Sequence, residues 1–253
     1  MDTDTVISNV YHYELSNKMQ LPNNNRTIII EKYQIELKGD GNEFDGFQIL
    51  IDGLNEPEAR SESDRIANNF INGIIAESFP PTYVQYDLNK IDHHYKSGKI
   101  TYTIYKSLIH KYDIEAYPHI NSNFQSLSND TSKHELLEKI KIAIKSYAKR
   151  DFLIAYLHLY FLVENNKVMI GASNKDNFRV IRNVFYHEEL TNENTLKILD
   201  NIIKNDYPFE FERYYYKPKD PKNTALLKLD SEKNDKLAQK AFDELHREIK
   251  SVI

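Results

Sequence analysis

The chain has no cysteine, which excludes disulfides, thiolate nucleophiles and zinc or iron–sulfur sites built on sulfur. It also has no apolar run near the roughly 20 residues of a membrane-spanning helix. The opening Met1-Asp2-Thr3-Asp4-Thr5 lacks the basic start and apolar core of a signal peptide, so the expectation is a cytoplasmic protein with no membrane partner. Nor is there an excess of positive charge: 33 Lys and Arg against 38 Asp and Glu leave a formal charge of −5. No global field then attracts nucleic acid, and any RNA contact has to be local and recessed. The seven glycines form no P-loop or dinucleotide-type phosphate loop, and no internal repeat is visible.

What is present is ample core material. Of 253 residues, 40% are hydrophobic and 12% aromatic, enough for one large or two ordinary packed domains. Alternating, β-branched stretches predict strands over residues 6–15, 27–37, 47–51, 83–88 and 100–108. Gly39-Asp40-Gly41 supplies a turn. Between the third and fourth strands one helix is expected, with Pro57 in its first turn, Ile66, Phe70, Ile74 and Ile75 as its apolar stripe, and Phe79-Pro80-Pro81 ending it. Residues 1–118 therefore read as an α+β domain of unknown role.

Residues 119–132 have the polar composition of a linker, and residues 133–253 read as helical. Ser132-Lys133-His134-Glu135 matches a capping box for a helix with the stripe Leu136, Ile140, Ala143, Ile144 and Tyr147. Phe152 to Val163 is apolar nearly all round, as befits a central helix or a dimer face, and within it His158 reads as a core or interface histidine. A further helix starts at Thr191, and a last one carries Ala238, Phe242, Leu245, Ile249 and Val252 as a seam.

The most informative stretch is Arg182-Asn183-Val184-Phe185-Tyr186-His187. Projected at about 100° per residue, Phe178, Val180, Ile181, Val184 and Phe185 share one helix side, and Arg179, Arg182, Asn183, Tyr186 and His187 the other. Histidine exchanges a proton near neutrality. Arginine grips phosphate with a planar fork and stays charged, so the pair suits phosphodiester cleavage. Asn183, one turn before His187, can orient the imidazole or bond a ligand.

This pattern resembles the HEPN superfamily, whose hallmark is Arg, a polar residue, a few variable residues and His. The helices before and after it look like the HEPN four-helix bundle. The expected fold is an α+β N-terminal domain followed by an all-α HEPN-like helical bundle, the first half read from the strand pattern and the second implied by the resemblance. The resemblance covers about residues 131–205. It also implies a homodimer through the C-terminal helical domain, with Arg and His of both protomers lining a cleft that cuts RNA without a metal, the RNA's own 2′-hydroxyl attacking the phosphate. On that resemblance His187 handles the proton, Arg182 the phosphate charge and Asn183 the polar position. Glu164 matches an acidic residue found towards the end of the preceding helix, and Arg179 and Tyr186 lie where substrate would be contacted. The implied setting is defence, toxin-like growth control or RNA processing, in which a regulatory protein partner can hold the site closed. Some HEPN proteins do not cut, and bind a nucleotide, RNA or a protein partner instead. The two-domain layout also looks like HEPN proteins related to the methylamine-utilisation J group.

Two other stretches mix the right residue types. Asp92-His93-His94 spells the signature of a family of metal-dependent phosphoesterases. The further aspartates such a site needs on neighbouring strand ends are missing, so a surface loop is the expectation, with neither metal nor other cofactor. Tyr214 to Lys219 combines aromatics and cations that suit single-stranded RNA, or a loop pinned by its tyrosines.

Overall fold

Fifteen residues that alternate between two faces make the first strand, β1 (Val6–Gln20), and the rest of its sheet is arranged around it. The structure is a computed structural model that describes residues 6–104, 118–186, 189–190, 225–226 and 231–253. The chain divides between Ile144 and Lys145 into two units.

In the first unit β1 pairs antiparallel with β4 (Glu43–Asp52) on one side and β6 (Tyr86–Tyr95) on the other. The order β2-β3-β4-β1-β6-β7 is completed by β2 (Thr27–Ile30), β3 (Tyr33–Lys38) and β7 (Gly98–Thr103). Two short strands, β5 (Ser78–Phe79) and β8 (His119–Ile120), pair with each other, and β8 lies parallel to β1 at Gln20. That single parallel contact makes the eight-stranded sheet mixed.

Period-2 alternation sends Tyr11, Tyr13 and Leu15 of β1 and Phe47, Ile49 and Ile51 of β4 to one face, where all are buried. Helix α1 (Glu56–Glu77) covers that face. Asn55 caps it by accepting from the Glu58 amide at 3.1 Å, with Pro57 in the first turn. Its stripe Ile66, Phe70, Ile74 and Ile75 is fully buried. Phe70 meets Phe47 edge-on at 5.0 Å, and Phe47 stacks on Tyr13 at 4.9 Å. Helix α2 (Phe124–Asn129) lies so close to α1 that a Cβ on Gly73 would stand 2.6 Å from the Phe124 carbonyl oxygen.

Several expectations differ from what is found. The stretch 27–37 is a hairpin, with Glu31 in the left-handed region at φ 55° between β2 and β3. Residues 119–132 carry β8, α2 and a 3-10 turn, Thr131–Lys133. The helix after it, α3 (His134–Ala148), is preceded by an Asp130 cap on Ser132, at 3.1 Å, instead of a Ser132 capping box.

The expected fold, an α+β domain followed by an all-α HEPN-like helical bundle, is overturned in its second half. Most of α3, the intended first helix of the bundle, belongs to the sheet-bearing unit. The cause is a polar lock: Glu138 accepts from Asn72 of α1 at 2.7 Å, and Lys141 donates to Asn68 at 2.9 Å and Asn72 at 3.0 Å. Burial alone would raise the Glu138 carboxyl, but the bonds from Asn68 and Asn72 and the charge of Lys141 hold it below its ordinary value. The second unit is not all-α either, because β9 (Glu189–Leu190) and β10 (Ala225–Leu226) pair antiparallel.

The second unit otherwise contains α4 (Phe152–Glu164), α5 (Ala172–Tyr186) and α6 (Ser231–Lys250) among its described residues. Ala238, Phe242, Leu245 and Ile249 of α6 are buried within the unit, where α6 packs on α4 and α5. Val252 lies past the helix end and is 50% exposed, so it leaves the expected seam. His158 is exposed, contrary to a core histidine. Among the described residues no helix is long and apolar enough to cross a membrane. The helix expected from Thr191 lies outside the described residues.

Candidate functional site

Helix α4 is so apolar that its few polar atoms are placed by necessity. Tyr156 is fully buried, and its hydroxyl donates to the Phe178 carbonyl of α5 at 2.5 Å, which fixes the two helices against each other. Burial pushes the Tyr156 phenol well above its ordinary value. Phe178 and Ile181 are the described members of the apolar face of α5, and both are buried.

One turn beyond Tyr156, Tyr160 stacks beside it at 6.1 Å and donates to Glu164 Oε1 at 3.3 Å. Arg182 reaches the same oxygen through Nη2 at 3.2 Å, and its guanidinium carbon lies 5.5 Å from the centre of the Tyr160 ring. Arg182 is thus held by a carboxylate and an aromatic face, while its Nε is buried without a hydrogen-bond partner. Burial also raises the Tyr160 phenol, so it remains a neutral donor at neutral pH.

The residues expected at the site are only partly brought together. Arg182 and Glu164 meet, and Asn183 lies half-buried on the same helix. Arg179 is exposed and paired with Asp176 at 3.1 Å, a local i,i+3 contact outside the Arg182–Glu164 cluster. Tyr186 is the last residue of α5, its side chain lying outside the described residues, as do His187 and Tyr214 to Lys219. Tyr160 was missed by sequence reasoning, although its i,i+4 spacing from Glu164 places the two on one helix face.

Asp92-His93-His94 is no surface loop. It lies in β6, where consecutive side chains point to opposite faces. His93 turns inward and bonds Asn9 Oδ1 through Nδ1 at 2.5 Å, while Asp92 turns outward to Thr101 and His12. The triplet cannot converge on one centre, and among the described residues no group of three or more His, Asp or Glu side chains is arranged to hold a metal ion. A tight turn follows the triplet and joins β6 to β7.

Comparison of the chain with protein-family models, with curated proteins and with solved structures gave no match.

Proposed function

We propose that the chain is a cytoplasmic, metal-independent endoribonuclease of the HEPN kind, acting through Arg182 and His187. The observation that carries this is the Arg182 cluster: a guanidinium held by Glu164 and Tyr160 on the helix whose sequence runs on through Asn183 to His187. A cation pre-oriented in this way loses little freedom when a phosphate arrives. The likeness now rests on the motif and this cluster, without the four-helix bundle.

In the proposed reaction the RNA 2′-oxygen bonds to phosphorus as its proton leaves to a base. The bond to the 5′-oxygen breaks, and that oxygen takes up a proton. The products are a 2′,3′-cyclic phosphate and a 5′-hydroxyl. His187 moves the proton and Arg182 stabilises the phosphate charge. Glu164 and Tyr160 position Arg182, and Asn183, Arg179 and Tyr186 contact RNA. The active species is a homodimer with both protomers lining one cleft, under the control of a regulatory protein partner, and no cofactor takes part.

One observation favours a second reading. The same Glu164 partly neutralises Arg182, as in a module that binds RNA, a nucleotide or a protein without cutting it. The test is cleavage of labelled single-stranded RNAs by the parent and by His187→Ala, with RNA binding measured in parallel. Cleavage by the parent alone supports the nuclease. Binding by both without cleavage supports the module.

A further inference from the structure

The face of the sheet opposite α1 carries a depression built by two local features. By register Lys38, Gly46 and Glu14 stand side by side across β3, β4 and β1. Gly46 contributes no side chain to that row, and the Tyr13 carbonyl oxygen, 2.7 Å from where its Cβ would stand, keeps the position glycine. In β6 the pairing steps from Lys90 opposite His12 to Leu88 opposite Tyr13, so Asn89 is an extra, bulged residue. Between them lies a cavity of about 290 Å³, lined by His12, Glu14, Lys38, Asp45, Gly46 and Asn89 together with Lys90.

Its polar groups are of both kinds. Outside its lining, the Asp92 carboxylate fixes the tautomer of His12: it accepts from Thr101 Oγ1 at 2.7 Å and from His12 Nε2 at 3.0 Å, with Lys90 and Lys99 at 3.2 and 3.5 Å. An ionised carboxylate only accepts, so Nε2 carries the His12 proton and Nδ1 is the acceptor nitrogen of the ring. Burial lowers the His12 pKa, outweighing the bond to Asp92, and so favours the neutral ring. Asn89 Oδ1 is buried without a hydrogen-bond partner. Lys38 offers donors, and Glu14 and Asp45 offer acceptors.

An anion entering this depression would meet two carboxylates, and a cation would meet two lysines. A hydroxyl both gives and takes a hydrogen bond, so vicinal hydroxyls match the mixture without an unpaired charge. We propose that the depression at Gly46 binds a small, neutral polyhydroxyl ligand, a sugar or the ribose of a nucleoside. His12 Nδ1 and Asn89 Oδ1 accept from its hydroxyls and Lys38 donates to them. This site lies in the first unit and stands independently of the RNA-cleavage reading.

The test is a titration of the ¹⁵N-labelled full chain with D-ribose, D-glucose, adenosine, inorganic phosphate and spermidine, following the amides of Gly46 and Asn89. Saturable shifts are expected with at least one of the sugars or adenosine, and none with phosphate or spermidine. Ribose against adenosine separates a free sugar from a nucleoside. Affinity is expected to fall about tenfold in Asn89→Ala and in Glu14→Gln, the second variant covering a failure of the first to fold. Shifts with phosphate or spermidine alone, no saturable shift with any sugar or adenosine, or unchanged affinity in both variants would overturn the proposal.

Discussion

Replacing Asp92 by Asn removes the charge at which four donors converge. The residue is 5% exposed, and its carboxylate accepts from Thr101 and His12, with Lys90 and Lys99 within 3.5 Å. Burial alone would raise its pKa, but the bonds from Thr101, His12 and Lys90 outweigh burial and hold it well below the usual carboxylate range. An amide keeps the shape but turns one acceptor into a donor facing those same donors. Hydrogen bonds to a charged group are worth about 1.5–3 kcal/mol. The lysines are partly solvated and recover some of the loss, so the substitution should cost about 2–4 kcal/mol. That lowers the melting temperature by roughly 5–12 °C. The sign with pH follows from the depressed pKa. The stabilisation is complete above the unfolded value, near pH 4, and is lost as pH falls towards the folded one. Thermal or urea unfolding of the full chain at pH 7 and at pH 3 is the assay. The parent should lose more stability than Asp92→Asn between the two, and equal melting temperatures at pH 7 would refute the reasoning.

Other expectations follow from packing and from the cluster. Gly73→Val sets side-chain atoms against the Phe124 carbonyl and Ser128 of α2 and should destabilise by about 1–3 kcal/mol or more, read by urea denaturation. Phe70→Ala empties a fully buried position in the aromatic cluster and should cost about 3–5 kcal/mol. Glu164→Gln should change stability by less than about 1 kcal/mol, since the pair is part-exposed, yet slow RNA cleavage by loosening Arg182. An obligate monomer that folds should lose cleavage, and full activity in one would count against a shared cleft.

Much of the first unit was legible because a half-buried antiparallel strand writes its alternation into the sequence, as Tyr11, Tyr13 and Leu15 do. The hairpin at Glu31 was not legible. Thr27 to Leu37 is a continuous β-forming run with no glycine or asparagine at the turn, and the reversal is held by Asn129, nearly a hundred residues away, accepting from the Glu31 amide. Asp92 and His93 looked like loop residues because their partners, His12 and Asn9, are about eighty positions distant and no local pattern reports them. The allegiance of α3 was hidden for the same reason: its apolar stripe is as good for a bundle as for a sheet unit, and Asn68 and Asn72 decide between them. Arg182 and Glu164 were readable as residue types in order, whereas the Tyr160 ring beneath the guanidinium shows only once α4 and α5 are packed.

The most direct measurement is the chemistry of the RNA ends left by the parent and by Arg182→Ala in excess EDTA, each variant first checked for its fold by circular dichroism. Fragments ending in 2′,3′-cyclic phosphate from the parent, and at least about 10²-fold fewer from Arg182→Ala, are the expected result. Cleavage that survives Arg182→Ala unchanged, or that stops when EDTA is added to the parent, would contradict it.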